Sequence, residues 1–212
     1  MGRLLLGGVA GAMLAIGAFA AAAGSASPVA STLEPRSLAR AQTIRAQLDA
    51  RYRVVRGRGL AVTEATATGV VESFTLLTLD LLETRVLPAD NGIYYAICPV
   101  RASCPYPARR FARPAAELFP RRLALELALR TFLETSADVV AVSLPTPRFI
   151  LFVLECEELA REVDLATLAK ALDCDPSRAL SSSLEVVVDR LTRPRVYVTS
   201  VLNRLLTDGT PS

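Results

Sequence analysis

The chain has 212 residues, a formal net charge of +3 and 51 % hydrophobic residues. It is long enough to bury the core of one domain but short for two. The small net charge argues against a general polyanion-binding role. It contains no histidine, which excludes Ser-His-Asp and Cys-His nucleophiles and His-bound metals within the chain.

The first element is an unbroken apolar run from Leu4 to Ala23. Its length matches a helix that crosses a bilayer and exceeds the apolar core of most secretory signals. The small residues Ala21 and Ala23 suit a signal peptidase. Residues 1–23 are therefore predicted to be either a cleaved signal peptide or a retained transmembrane anchor, so the chain contacts the membrane through residues 4–23.

The protein is accordingly expected to be secreted, or held at the cell membrane by a single span with its domain outside. Arg36 and Arg40 outnumber Arg3 on the two flanks of the run. Because basic residues favour the cytoplasmic side, an anchor with a cytoplasm-facing domain stays open. Residues 24–36 are small, polar and rich in proline, and they predict a flexible tether.

Ser37 is a suitable N-cap, and apolar residues recur after it at helical spacing up to Tyr52. Loosely alternating residues predict two strands between Leu60 and Leu82. Asn91-Gly92 is typical of a tight turn, and it predicts a β-hairpin. The expected strands of this hairpin are 84–88 and 93–97.

Pro120 suits the first turn of a helix that extends to Glu134. Four charged residues spaced four apart predict that one edge of this helix faces water. These residues are Arg122, Glu126, Arg130 and Glu134. The apolar runs 139–144 and 149–154 are joined by too short a link for a parallel crossover, so they predict antiparallel central strands.

The remaining pattern predicts a helix over 164–172, a helix or a strand over 183–191, and a last strand over 195–200. Residues 206–212 are expected to fray, which leaves 37–205 as one domain. The predicted fold class is α+β, an antiparallel sheet with helices on one or both faces. An N-terminal hydrophobic signal or anchor helix precedes it.

The four cysteines form an even set, which in an oxidising compartment indicates two disulfides in one of three connectivities. Local pairing is favoured, Cys98 with Cys104 and Cys156 with Cys174. Free buried thiols are the main alternative. The spacings match neither a thioredoxin-like site nor a four-thiolate zinc site, so no metal or cofactor is predicted.

An arginine-rich stretch is the best candidate binding site, because guanidinium groups bind carboxylates and phosphates in a bidentate manner. Its basic residues are Arg101, Arg109, Arg110, Arg113, Arg121 and Arg122. Outside the membrane this stretch would contact anionic lipid or an acidic wall polymer, and no nucleic acid is expected. The alternative is a solvated loop that pairs with acids of the same chain.

Glu158 and Glu162 are the weak catalytic candidates, because they share a helical face if a helix covers them. No other reaction motif is present, and no glycine-rich phosphate loop occurs. The sequence therefore favours an exported or membrane-anchored binding or structural module. The alternative is a small exported hydrolase that uses Glu and Asp carboxylates.

Overall fold

The computed structural model describes residues 33–56, 59–68, 73–78, 84–88, 91–100, 118–144 and 150–198. Within these residues the chain forms five α-helices, a 3₁₀ turn and seven strands. The helices are α1 (Pro35–Arg53), α2 (Leu118–Glu134), α3 (Cys156–Glu162), α4 (Leu165–Leu172) and α5 (Ser182–Thr192). The strands are β1 (Leu60–Ala67), β2 (Ser73–Thr78), β3 (Thr84–Pro88), β4 (Gly92–Pro99), β5 (Val139–Ser143), β6 (Ile150–Glu155) and β7 (Val196–Val198), and the 3₁₀ turn is Arg193–Arg195.

The strands form one mixed sheet in the order β1-β4-β5-β6-β7-β2-β3. Strands β4 and β5 are parallel, and the other neighbouring strands are antiparallel. The α+β class is thus confirmed, but the prediction of an antiparallel sheet is wrong at its centre. The reason is that α2 connects β4 to β5 and carries the chain back along the sheet, as a parallel pair requires.

The predicted hairpin around Asn91-Gly92 is also wrong. Strand β3 pairs with β2 at one edge of the sheet, whereas β4 lies between β1 and β5. Asn91 instead donates from Nδ2 to Ser136 O at 2.7 Å and to Asp138 Oδ2 at 2.6 Å. A Cβ atom added to Gly92 would lie 2.4 Å from Thr68 Oγ1. Glycine is therefore required by close packing at the start of β4, not by a two-residue turn.

The helices contact one face of the sheet. Alternate residues of the central strands, such as Ile93, Val140 and Phe152, join all five helices in the main core. The residues between them face the other way and form a second buried cluster, which contains Leu87, Val139, Ala141, Leu151, Val153 and Tyr197. Burial on both faces explains why β5 and β6 are continuous apolar runs, as predicted for central strands.

Most of the predicted helices are confirmed, with small changes at their ends. Helix α1 begins at Pro35 rather than after Ser37, because proline fits the first turn of a helix. Ser37 is buried instead, with its Oγ 3.0 Å from Ser136 Oγ. Residues 183–191, for which the sequence predicted either a helix or a strand, belong to helix α5. Ser181 precedes this helix and accepts a hydrogen bond from Leu184 N.

No helix in the described part of the chain is long and apolar enough to cross a membrane. The predicted signal or anchor in residues 1–23 lies outside the described residues, as does the C-terminal tail from 206 to 212. These two expectations therefore stay predictions.

Candidate functional site

Helix α2 carries a buried charged cluster that the sequence pattern placed at the surface. Arg122 and Glu126 are each 3 % exposed, and Arg122 Nε donates to Glu126 Oε1 at 3.1 Å. Tyr52 of α1 donates its hydroxyl proton to the same oxygen at 2.5 Å. The prediction of one solvent-facing charged edge is therefore wrong for the first half of α2, because α1 and α4 both pack against this helix.

Burial dominates the electrostatics of this cluster. It raises the pKa of Glu126, although the hydrogen bond from Tyr52 and the charges of Arg51 and Arg122 oppose the shift. Burial, together with the nearby Glu126 carboxylate, holds the pKa of Tyr52 well above its ordinary value. Tyr52, Arg51 and Arg122 therefore supply hydrogen bonds and positive charge to a carboxylate that has little water around it.

The same arginines fix the connection between α4 and α5. Arg122 donates to the carbonyl oxygens of Leu172 at 3.3 Å and Cys174 at 3.2 Å, and to Cys174 Sγ at 3.1 Å. Arg51 also donates to Cys174 O, at 2.8 Å. Carbonyls near the end of α4, which lack helical partners, are thus satisfied by guanidinium groups. This arrangement is a structural junction among α1, α2 and α4.

Arg121 is the other residue of α2 that was predicted to bind a ligand. It is 3 % exposed and faces α5. It donates to Asp189 Oδ1 at 2.7 Å and to Thr192 Oγ1 at 2.9 Å. Arg121 also lowers the pKa of Asp189, through the hydrogen bond and its charge. Arg121 and Arg122 therefore contact the protein itself and do not form part of an open anion-binding surface.

The other four residues of the arginine-rich stretch, Arg101, Arg109, Arg110 and Arg113, lie outside the described residues. Their place in the chain is nevertheless defined, since residues 101–117 join Val100 at the end of β4 to Leu118 at the start of α2. They follow the carboxyl end of a strand in a parallel β4-α2-β5 unit.

The two candidate catalytic acids lie on α3, where Glu158 and Glu162 share one face as expected. Both carboxylates bind the guanidinium of Arg195, which is 4 % exposed. The distance from Arg195 Nη2 to Glu158 Oε1 is 3.2 Å. Arg195 also donates to Leu191 O at 2.7 Å. The arrangement joins α3 to the end of α5, which gives both acids a structural role.

A shallow, open groove of about 550 Å³ lies beside Glu162. Apolar residues such as Leu133, Val163 and Leu165 line it together with the charged residues Arg161, Glu162 and Asp164. Asp164 is the N-cap of α4 and accepts a hydrogen bond from Thr167 N at 2.6 Å. Both acids of the groove thus have partners within the domain, since Glu162 binds Arg195 and Asp164 caps α4.

The cysteines are divided between two states. Cys156 and Cys174 are free, so the predicted disulfide between them is wrong. They begin α3 and follow α4 respectively, and Cys174 Sγ contacts Arg122. Cys98 is disulfide-bonded. Its expected partner Cys104 lies outside the described residues, so the pairing of 98 with 104 stays a prediction.

The sequence analysis did not predict that Tyr52, Arg122 and Glu126 form a cluster, although the pattern of α1 and α2 contains an indication of it. Tyr52 stands at a core position of α1, and α2 is apolar around most of its circumference. A charged residue on such a helix must either reach water or find a buried partner. The sequence does not say which, because the partner comes from a helix 74 positions away in the chain.

Comparisons with protein-family models, curated proteins and solved structures find no significant match to this chain.

Proposed function

We propose that this protein is an exported or membrane-anchored binding module that contacts anionic material through an arginine-rich connection. The contact residues are Arg101, Arg109, Arg110 and Arg113, and the partner is an anionic lipid or an acidic wall polymer. Residues 1–23 direct the chain to the membrane, as signal or anchor. Arg121 and Arg122 leave the contact set, because both are buried in the domain.

The observation that carries this proposal is the position of the four arginines in the connection that follows β4 and precedes the amino end of α2. A helix amino end carries partial positive charge and unpaired N–H groups, which favour anions. The sole acidic residue of this connection is Glu117. These arginines therefore have few acids near them in sequence.

The hydrolase alternative receives less support from the described residues. A general acid or base needs a carboxylate that can exchange protons with a substrate. Glu158 and Glu162 both bind Arg195, which is itself buried. These ion pairs with Arg195 favour a structural role for both acids, which is to hold α3 in place.

The test uses the full chain in detergent micelles and fluorescein-labelled polyglutamate as a soluble acidic probe. We expect Arg109, Arg110 and Arg113, changed together to alanine, to weaken binding about tenfold, since three exposed ion pairs of about 0.5 kcal/mol each total about 1.5 kcal/mol. The binding of the unchanged protein should also weaken as salt is added.

The matched control removes the same charge elsewhere, by changing the exposed Arg36, Arg190 and Arg193 to alanine. The proposal requires this control to bind the probe nearly as well as the unchanged protein. Equal losses in the two triple variants would mean that net charge alone controls binding. That result, or no binding by the unchanged protein, would contradict the proposal.

A further inference from the structure

Two exposed large hydrophobic residues lie close to Gly59 at one end of the domain. Val54, directly after α1, is 78 % exposed, and Val100, directly after β4, is 41 % exposed. Gly59 lies close to the backbone before Val54 and to the side chain of Val100: a Cβ atom there would lie 2.5 Å from Arg53 O and 3.2 Å from Val100 Cγ2. Val100 N also donates to Gly59 O at 3.0 Å.

Basic residues lie beside Val54. Arg53, beside Val54, has a side chain that is 49 % exposed, and Arg56 is exposed as well. Asp49 is the acid that pairs with Arg53. The sequence places four arginines within residues 51–58. We call Arg53, Val54, Arg56 and Val100 the valine-arginine tip.

Other exposed apolar residues have different surroundings. Leu133, 46 % exposed, lines the groove that also contains Glu162 and Asp164. Val186, 67 % exposed, follows Glu185 on α5, and Val86, 62 % exposed, lies on the edge strand β3. The valine-arginine tip therefore combines two exposed valines near Gly59 with exposed positive charge.

We propose that the valine-arginine tip docks on an anionic lipid surface. Arg53 and Arg56 would contact lipid phosphates, while Val54 and Val100 enter the boundary between headgroups and acyl chains. A hydrated acidic polymer would leave the two valines in water, whereas a bilayer removes their apolar area from it. This inference deepens the proposed function and rests on it for the location of the domain at a membrane.

The reach of the chain is compatible with this docking. Helix α1 has 19 residues, so it is about 28 Å long at 1.5 Å per residue. The described chain begins at Leu33, and residues 24–32 separate it from the apolar run. An extended stretch of that size spans roughly 30 Å. The valine-arginine tip at the far end of α1 can therefore reach the bilayer that residues 4–23 would enter.

The absence of tryptophan from the chain permits a site-specific test. The variants Val54→Trp and Val186→Trp each introduce one indole at a position of similar exposure, 78 % and 67 %. The full chain of each is reconstituted in bilayers of phosphatidylglycerol or phosphatidylcholine whose acyl chains are brominated. Because bromine quenches a nearby indole, the loss of fluorescence reports which position enters the bilayer.

We expect the indole of Val54→Trp to be quenched in phosphatidylglycerol, and less in phosphatidylcholine or high salt. The indole of Val186→Trp should stay bright in both. Adding Arg56→Gln to Val54→Trp should lower the ratio of docked to undocked molecules roughly fivefold, the effect of one basic residue near an anionic surface.

Equal quenching at the two positions would overturn the inference, and so would equal quenching of Val54→Trp in the two lipids. The polyglutamate experiment separates these failures from that of the proposed function. If the Arg109, Arg110 and Arg113 variant loses the soluble probe while Val54→Trp stays bright, the binding module stands without lipid docking. If neither effect occurs, both proposals fail.

Discussion

The buried pair of Arg122 and Glu126 gives the sharpest prediction about stability. In Arg122→Met, the side chain keeps a similar length but loses its charge and every donated hydrogen bond. Glu126 would then remain 3 % exposed, with Tyr52 and Arg51 as its partners. The carbonyls of Leu172 and Cys174 would also lose a donor.

Breaking a buried ion pair by removing one partner costs about 3–5 kcal/mol, because the remaining charge is uncompensated. Arg51 is 3.5 Å from Glu126 Oε2 and retains part of the compensation, so we expect about 3 kcal/mol for Arg122→Met. The double variant Arg122→Met with Glu126→Leu removes both charges. It should be more stable than Arg122→Met alone, since no buried carboxylate is left.

The assay is urea unfolding of the full chain in detergent, followed by circular dichroism, for both single variants and the double variant. Arg161→Met is the control, because Arg161 and Glu157 form an exposed pair at the same i,i+4 spacing. We expect that change to lower the free energy of unfolding by less than about 1 kcal/mol. The reasoning would be refuted if Arg122→Met and Arg161→Met had equal effects, or if the double variant were the less stable of the two Arg122 variants.

Three further predictions concern packing, pH and thiol chemistry. Gly92→Ala should destabilise the domain by about 1–3 kcal/mol, because its Cβ would lie 2.4 Å from Thr68 Oγ1; urea unfolding should show partial recovery when Thr68→Ala is added. The pKa of Glu126 is raised above its ordinary 4.5, so the native state binds the carboxyl proton of Glu126 more tightly than the unfolded state does. The contribution of Glu126 to stability therefore falls as pH rises from 4.5 through the raised pKa. Unfolding measured across that window should show this downward contribution in the unchanged protein and not in Glu126→Gln. Cys156 and Cys174 are both free, and burial raises the pKa of Cys156, so alkylation without reductant should modify both residues, and the modification of Cys156 should increase as pH rises, in peptide mass spectra.

Each of these measurements has a clear opposing result. Equal stability of Gly92→Ala and the unchanged protein would show that Thr68 can move aside. Identical pH profiles for the unchanged protein and Glu126→Gln would contradict the raised pKa of this carboxyl group. Protection of both Cys156 and Cys174 from alkylation until reductant is added would restore the predicted disulfide.

Much of the secondary structure follows from local patterns. The apolar spacing that ends at Tyr52 predicts α1, because a helix that packs on a core must repeat its buried side every three to four residues. The apolar runs of β5 and β6, with a short link between them, predict an antiparallel central pair for a similar reason. These features depend on neighbours in sequence, which a single chain displays directly.

The errors lie where distant segments meet. Asn91-Gly92 has the local preference for a tight turn, but strand pairing across the sheet places Gly92 against Thr68 and Val139 instead. Local turn preferences do not determine which strands pair with each other in the sheet. The parallel pairing of β4 with β5 was missed for the same reason, since it depends on how α2 packs on the sheet.

Composition and short periodic patterns are enough to predict the α+β class, the positions of most helices and strands, and the exclusion of histidine chemistry. Which charged residues are internal depends on how the elements pack. Arg122 and Glu126 resemble any exposed i,i+4 pair until α1 and the connection after α4 cover them, and Glu158 and Glu162 resemble a free acidic pair until Arg195 lies between α3 and α5. The physical reason is that burial raises the energetic cost of an isolated charge, so the role of a charged side chain depends on partners that are far away in sequence.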